Sequence, residues 1–79
     1  MEIYLVTMEE TLTEGTTFSA TAFRTKEEAD TFIANDEFTF AQEMGVDLKD
    51  CVVRAITRGS VINDPYGNSV TYQVVPEEI

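Results

Sequence analysis

The 79-residue chain reads as an α+β protein, a four-stranded antiparallel sheet in the order β-β-α-β-β with one helical region packed on one face. Three observations predict it. Residues 25–33 carry the capping and apolar spacing of a helix start. Period-two alternation runs on both sides of that segment, in Glu2–Phe23 and in Cys51–Val75. Turn-forming residues separate the alternating runs. One sheet with a helical layer is the simplest architecture that buries one face of each.

The helix start is the clearest element. Thr25 supplies an N-cap hydroxyl, and Glu28, three residues on, can reach back to the Thr25 N–H, which makes a capping box. Glu27, Glu28 and Asp30 fall where the helix dipole favours negative charge. Ala29, Phe32 and Ile33 share one face, which continues with Phe40, Ala41 and Met44, and Gly45 is placed to stop the helix. Asp36 falls on that apolar face. The expectation is therefore two helical pieces, or one kinked helix, ending near Met44, with Phe38 off the buried face.

Glu2–Met8 alternates with both faces largely apolar, which suits a central strand. Glu9–Thr16 contains the turn, with Gly15 near its end. In Thr17–Phe23, Phe18, Ala20 and Ala22 face one way and Thr17, Ser19 and Thr21 the other. The two runs predict an antiparallel hairpin with one wet face. Cys51–Arg58 is a third strand, Gly59–Asn68 a ten-residue connection holding Asp-Pro and Tyr-Gly-Asn, and Val70–Val75 a fourth strand ended by Pro76. The expected core is Ile3, Leu5, Phe18, Ala20, Ala22, Ala29, Phe32, Ile33, Phe40, Met44, Val53, Ala55, Val70, Tyr72 and Val74. A one-residue register slip would exchange one strand face for the other.

Residues 1–79 are expected to form one domain with a thin core. A single cysteine excludes an internal disulfide, and the absence of histidine removes the commonest general base and metal ligand. The four glycines are scattered, so no phosphate-binding loop is present. Cys51 opens an apolar strand and reads as an inert thiol. The expectation is no catalytic residue, no cofactor and no metal. No apolar run reaches the ~20 residues of a membrane span. Met1-Glu2-Ile3 has no basic region ahead of its apolar residues, so no signal peptide is expected. Both points lead to an expected cytoplasmic location.

Charge is the outstanding feature. Fifteen acids against five bases give a net charge of −10, and all but four of the acids lie in residues 1–47. Direct contact with nucleic acid or anionic lipid would be repulsive. Glu9, Glu10, Glu14, Glu27, Glu28, Asp30, Asp36 and Glu37 are the candidate binding residues, as a carboxylate patch that could enter a basic groove of another protein. Tyr66 is the candidate anchor in the surface connection. The competing reading gives these charges only a solubilising role and lets the domain self-associate, as a homodimer, through a sheet edge.

The run Ile3-Tyr4-Leu5-Val6-Thr7-Met8-Glu9-Glu10, followed by Ala22-Phe23-Arg24-Thr25-Lys26-Glu27-Glu28-Ala29-Asp30-Thr31-Phe32-Ile33, resembles a plan found in small uncharacterised proteins of phages and bacterial mobile elements. There a hairpin leads into a helix that starts with phenylalanine, threonine or serine, glutamates and alanine. The resemblance covers roughly the first 35 residues. It implies a context in the host cytoplasm and a function of blocking a basic host protein that handles nucleic acid, such as an RNA polymerase, a restriction enzyme or a CRISPR effector. It assigns no site residue.

Overall fold

The helix begins where the sequence places it. In the computed structural model, which describes residues 1–79, Thr25 Oγ1 accepts from the Glu28 N–H at 3.1 Å. Glu28 Oε1 in turn accepts from the Thr25 N–H, also at 3.1 Å. This closed capping box starts α1 (Lys26–Glu43). Gly45, at φ +72°, takes the left-handed position just past the Met44 C-cap, which a residue without Cβ occupies at least cost.

Asp36 does not break α1, and no two-piece or kinked helix forms: the helix is continuous from Lys26 to Glu43. The buried face runs Ala29, Ile33, Phe40 and Ala41. Asp36 stands on it with a partner, because its Oδ2 accepts from the Tyr72 hydroxyl at 2.6 Å. A carboxylate on a core face is costly only when unpaired, and no buried side-chain nitrogen or oxygen in the protein lacks a partner.

The sheet has five strands rather than four. These are β1 (Glu2–Leu12), β2 (Gly15–Phe23), β3 (Val52–Ile56), β4 (Gly59–Asn63) and β5 (Ser69–Glu78), in the order β2-β1-β5-β4-β3 with every neighbouring pair antiparallel. The added strand is the first half of the stretch expected as a connection. Gly59 allows it: a Cβ there would lie 1.8 Å from the Tyr72 carbonyl oxygen. The true turn is only Asp64–Asn68. β5 also continues through Pro76 instead of ending there. Beyond Gln73 it pairs with β1 alone, so a residue lacking an N–H need not interrupt a two-sided ladder. The first and last residues meet at the sheet's centre, where the Ile79 N–H donates to the Met1 carbonyl at 2.8 Å.

Register decides which face of the sheet is core, and it corrects the expected set on the first hairpin. Val6 lies opposite Val74 and Met8 opposite Tyr72, while Ile62 lies opposite Val70. These residues share the face under α1, and Val6, Ile62 and Tyr72 are fully buried. Fully burying one such side chain contributes about 1.5–3 kcal/mol. Ile3 and Leu5 point to the opposite, uncovered face. There they accompany Phe18, Ala20 and Ala22, all three exposed, with Phe18 75% exposed. The reason lies on β5. Its Val70-Tyr72-Val74 parity is bulkier than Thr71-Gln73-Val75, and antiparallel pairing carries that preference onto β1.

Val53 and Ala55 have the expected parity but are exposed, because α1 does not extend over β3. Phe32 and Met44 pack against the core from its margin, and the Phe32 ring lies 5.1 Å from that of Phe23. Phe38 is half exposed, as expected.

Candidate functional site

The strand register gives the molecule two distinct ends. At one, the β1–β2 turn, the β4–β5 turn and the connection from α1 into β3 lie together. This turn end is organised by Asp64 and Asn68, the two buried polar residues. Asp64 Oδ1 accepts from the N–H groups of Tyr66 and Asn68, both at 2.8 Å, and Oδ2 accepts from Asn68 Nδ2 at 2.8 Å. Asn68 Oδ1 accepts from the Thr13 N–H at 3.0 Å, which ties the two turns to each other. Burial works to raise the Asp64 pKa, but the hydrogen bonds from Asn68 and Tyr66 outweigh it and hold the carboxyl below its usual range.

On this rigid frame Glu14 is exposed at the β1–β2 turn and Tyr66 is 65% exposed at the β4–β5 turn. Glu43 closes α1, Asp47 caps the short 3₁₀ helix Leu48–Asp50 that follows, and Asp50 ends it. Glu10, Asp36 and Glu43 line a groove of about 280 Å³ with the hydroxyls of Thr17, Ser19 and Thr39. These carboxylates do not close into a metal-ligand cluster. The Tyr72 hydroxyl, bonded to Asp36, is pushed far up, first by burial and then by that bond, so it remains a proton donor.

The basic groups gather elsewhere. Arg24, Lys26, Arg58 and the N-terminal ammonium lie at the opposite end of the sheet. Lys26 bonds Asp30 at 2.9 Å and the ammonium bonds Glu78 at 3.1 Å. Lys49 at the turn end makes an exposed 3.8 Å contact with Asp47 that does little to offset the charge there, and Arg54, in the row next to that of Glu10, is on the opposite face of the sheet.

The candidate binding residues therefore do not form one patch. Glu10, Glu14 and Tyr66 lie at or near the turn end, while Asp36 stands midway along α1, committed to Tyr72. Glu27, Glu28 and Asp30 lie at the far end of α1, Glu28 inside the capping box and Asp30 against Lys26. Glu9 is on the uncovered face, beside Phe18 and Thr71. Glu37 lines a second groove, of about 480 Å³, with Arg58 and Lys26, and accepts from Ser60 Oγ at 3.3 Å. Burial pushes its carboxyl up. Glu43, Asp47 and Asp50 join the turn end without having been expected there. A helix ending at Gly45 followed by a short connector was the sequence signal that could have placed them. Cys51 Sγ lies 3.8 Å from the Asp47 carbonyl oxygen, and burial, then Asp64 and Asp50, push its thiol up, which disfavours the nucleophilic thiolate.

The fold and this surface define a small α+β protein with a carboxylate-rich end and no helix long and apolar enough to cross a membrane. Comparison with protein-family models, with curated proteins and with solved structures finds no match for the chain.

Proposed function

We propose that this chain is a non-catalytic binding protein that uses its acidic turn end to occupy a basic, nucleic-acid-binding surface of another protein, in the manner of a phage-type inhibitor of a host enzyme. The observation that carries the reading is the excess of carboxylates at the turn end. Glu14, Glu43, Asp47 and Asp50, with Glu10 close by, stand around the single cation Lys49, and Arg54 lies a row inward on the opposite face, while Arg24, Lys26 and Arg58 at the other end are interspersed with Glu2, Glu27, Glu28, Asp30, Glu77 and Glu78. Such a surface steers a basic partner into contact, and a frame held by the Asp64–Asn68 bonds loses little entropy on binding. Tyr66 supplies an amphipathic side chain beside the carboxylates, one of the residue types enriched among interface anchors.

The test is affinity capture from a bacterial lysate at low and at high salt, with captured proteins identified by mass spectrometry. The expected result is a nucleic-acid-binding protein whose capture weakens as salt rises. Neutralising Glu14, Glu43, Asp47 and Asp50 to their amides should abolish capture, and the control Glu27→Gln should leave it intact. Capture indifferent to salt, or unchanged by the four amides, would overturn the reading.

A further inference from the structure

The face of the sheet opposite α1 is uncovered, and its chemistry differs from the rest of the surface. Ile3, Leu5, Phe18, Ala20, Ala22 and Val75 are its apolar residues along β1, β2 and β5, interleaved with the uncharged Thr7, Thr71 and Gln73, and Val61 and Ile56 continue it onto β4 and β3. Of the fifteen acids only Glu9 and Glu77 are on this face, and Arg54 is its one base. A protein of charge −10 thus keeps one broad surface nearly neutral. A surface of that kind is poorly suited to the basic partner argued for the turn end, and it is well suited to a copy of itself.

We infer that this face is a homodimer interface, with two copies stacked sheet on sheet about a two-fold axis parallel to the strands. The charges select the arrangement. Register places Phe18, Glu9, Thr71, Val61 and Arg54 in one row across β2, β1, β5, β4 and β3. A two-fold axis along β5 lays β2 of one copy over β3 of the other and β1 over β4. Arg54 of each copy then meets the ring of Phe18 and the carboxylate of Glu9 in its partner. The contact is self-complementary, combining an ion pair with a cation–π contact. A two-fold axis across the strands would instead set β1 on β1 and leave Glu9 against apolar neighbours with no counter-charge, which is costly.

The size is adequate. The strands of the face extend over roughly 600 Å² in projection, from the usual ~3.3 Å rise and ~4.8 Å strand spacing. Corrugation raises the accessible area above that, near the ~800 Å² per partner of a standard interface. Sheets stacked in this way keep their strands within about 30° of each other. In this arrangement the two turn ends point the same way, so the dimer presents its carboxylates as one doubled surface. Repulsion between the two acidic bodies then opposes pairing, and added salt relieves it. Salt therefore acts here in the opposite sense to its effect on a basic partner, so the failure of either reading is distinguishable from failure of the other.

Analytical ultracentrifugation of the full chain over a concentration series, at low and at 0.5 M salt (about 4 Å Debye length by the usual scaling), tests the inference. A monomer–dimer equilibrium that tightens with salt is expected. Phe18→Asp and Leu5→Asp should leave the circular dichroism unchanged and abolish the dimer. Glu9→Arg and Arg54→Glu should each weaken it about tenfold or more, and the double swap should recover most of that loss. A strict monomer at all concentrations would overturn it. So would a dimer insensitive to Phe18→Asp, which would indicate pairing through the free edges of β2 or β3, or a double swap that recovers nothing.

Discussion

The Tyr72 hydroxyl donates to Asp36 Oδ2 at 2.6 Å, joining the middle strand of the sheet to the middle of α1. Tyr72 is fully buried, so this bond is the only outlet for its proton within the core. It explains how a helix crosses an acidic residue on its packed face without breaking. Removing one partner should cost more than removing both. Asp36→Ala should destabilise by about 1–3 kcal/mol, because the tyrosine hydroxyl is left buried and unpaired, and Tyr72→Phe by about 1 kcal/mol. The pair Asp36→Leu with Tyr72→Phe should recover most of the loss. Urea midpoints at constant m-value measure all three.

The same bond sets an alkaline limit. The folded-state pKa of Tyr72 is raised above its unfolded value of about 10. Below pH ~10 both states hold the proton, and its stabilisation is fully present. Above that pH the unfolded chain releases the proton while the native state retains it, so stability falls with slope up to about 1.4 kcal/mol per pH unit. Tyr72→Phe should flatten this limb in urea melts between pH 9 and 11, a window about one unit either side of the unfolded value. Tyr4→Phe should flatten it far less, since Tyr4 is raised in the same direction but chiefly by its solvent-exposed neighbour Glu2, whose effect water screens.

Asp64 predicts the opposite limb. Its folded pKa is lowered by the net effect of bonds from Asn68 and Tyr66. Its contribution is present above the unfolded value of about 3.9 and is lost as pH falls through the folded one. Asp64→Asn should cost about 1–3 kcal/mol at neutral pH and reduce the acid sensitivity below pH ~4. Amide exchange of Thr13 should quicken in Asn68→Ala, because that N–H bonds Asn68 Oδ1.

The β3–β4 turn should respond in opposite directions at adjacent positions. Gly59→Ala drives a methyl into the Tyr72 carbonyl, which is backbone and cannot yield cheaply. The expected cost is at least about 3 kcal/mol, with β4 detached in the worst case. Arg58 is the only non-glycine residue with positive φ, at 67°. Arg58→Gly should stabilise by a few tenths to about 1 kcal/mol by relieving that strain. Thermal melts of the two variants decide the sign of each effect.

How much of this was legible in the sequence depended on whether the deciding interaction was local. The capping box at Thr25 and Glu28, the stop at Gly45 and the hairpin of β1 with β2 are set by residues within a few positions of one another, and the sequence shows them. β4 was hidden because Gly59 and the Asp-Pro turn residues, read together, suggest one long loop. The need for Gly59 comes from Tyr72, thirteen residues away. The continuity of α1 turns on the same distant tyrosine. Parity on β1 could not be read locally, since Ile3-Leu5 and Tyr4-Val6-Met8 are both apolar and β5 decides between them. For the candidate site, net charge was visible from composition, but which carboxylates gather at the turn end needed the register.

The chain's two ends leave the sheet side by side, through the Ile79–Met1 hydrogen bond and the Met1–Glu78 contact, at the end remote from Tyr66 and Glu14. A short peptide bridge could close the backbone into a ring, and the chain could then be reopened at Thr13–Glu14 with every strand neighbour preserved. A fluorophore or a surface-attachment tag at either terminus would stand on the same side of the molecule, well clear of Glu14, Glu43, Asp47 and Asp50, which makes the protein easy to immobilise with the turn end facing outward.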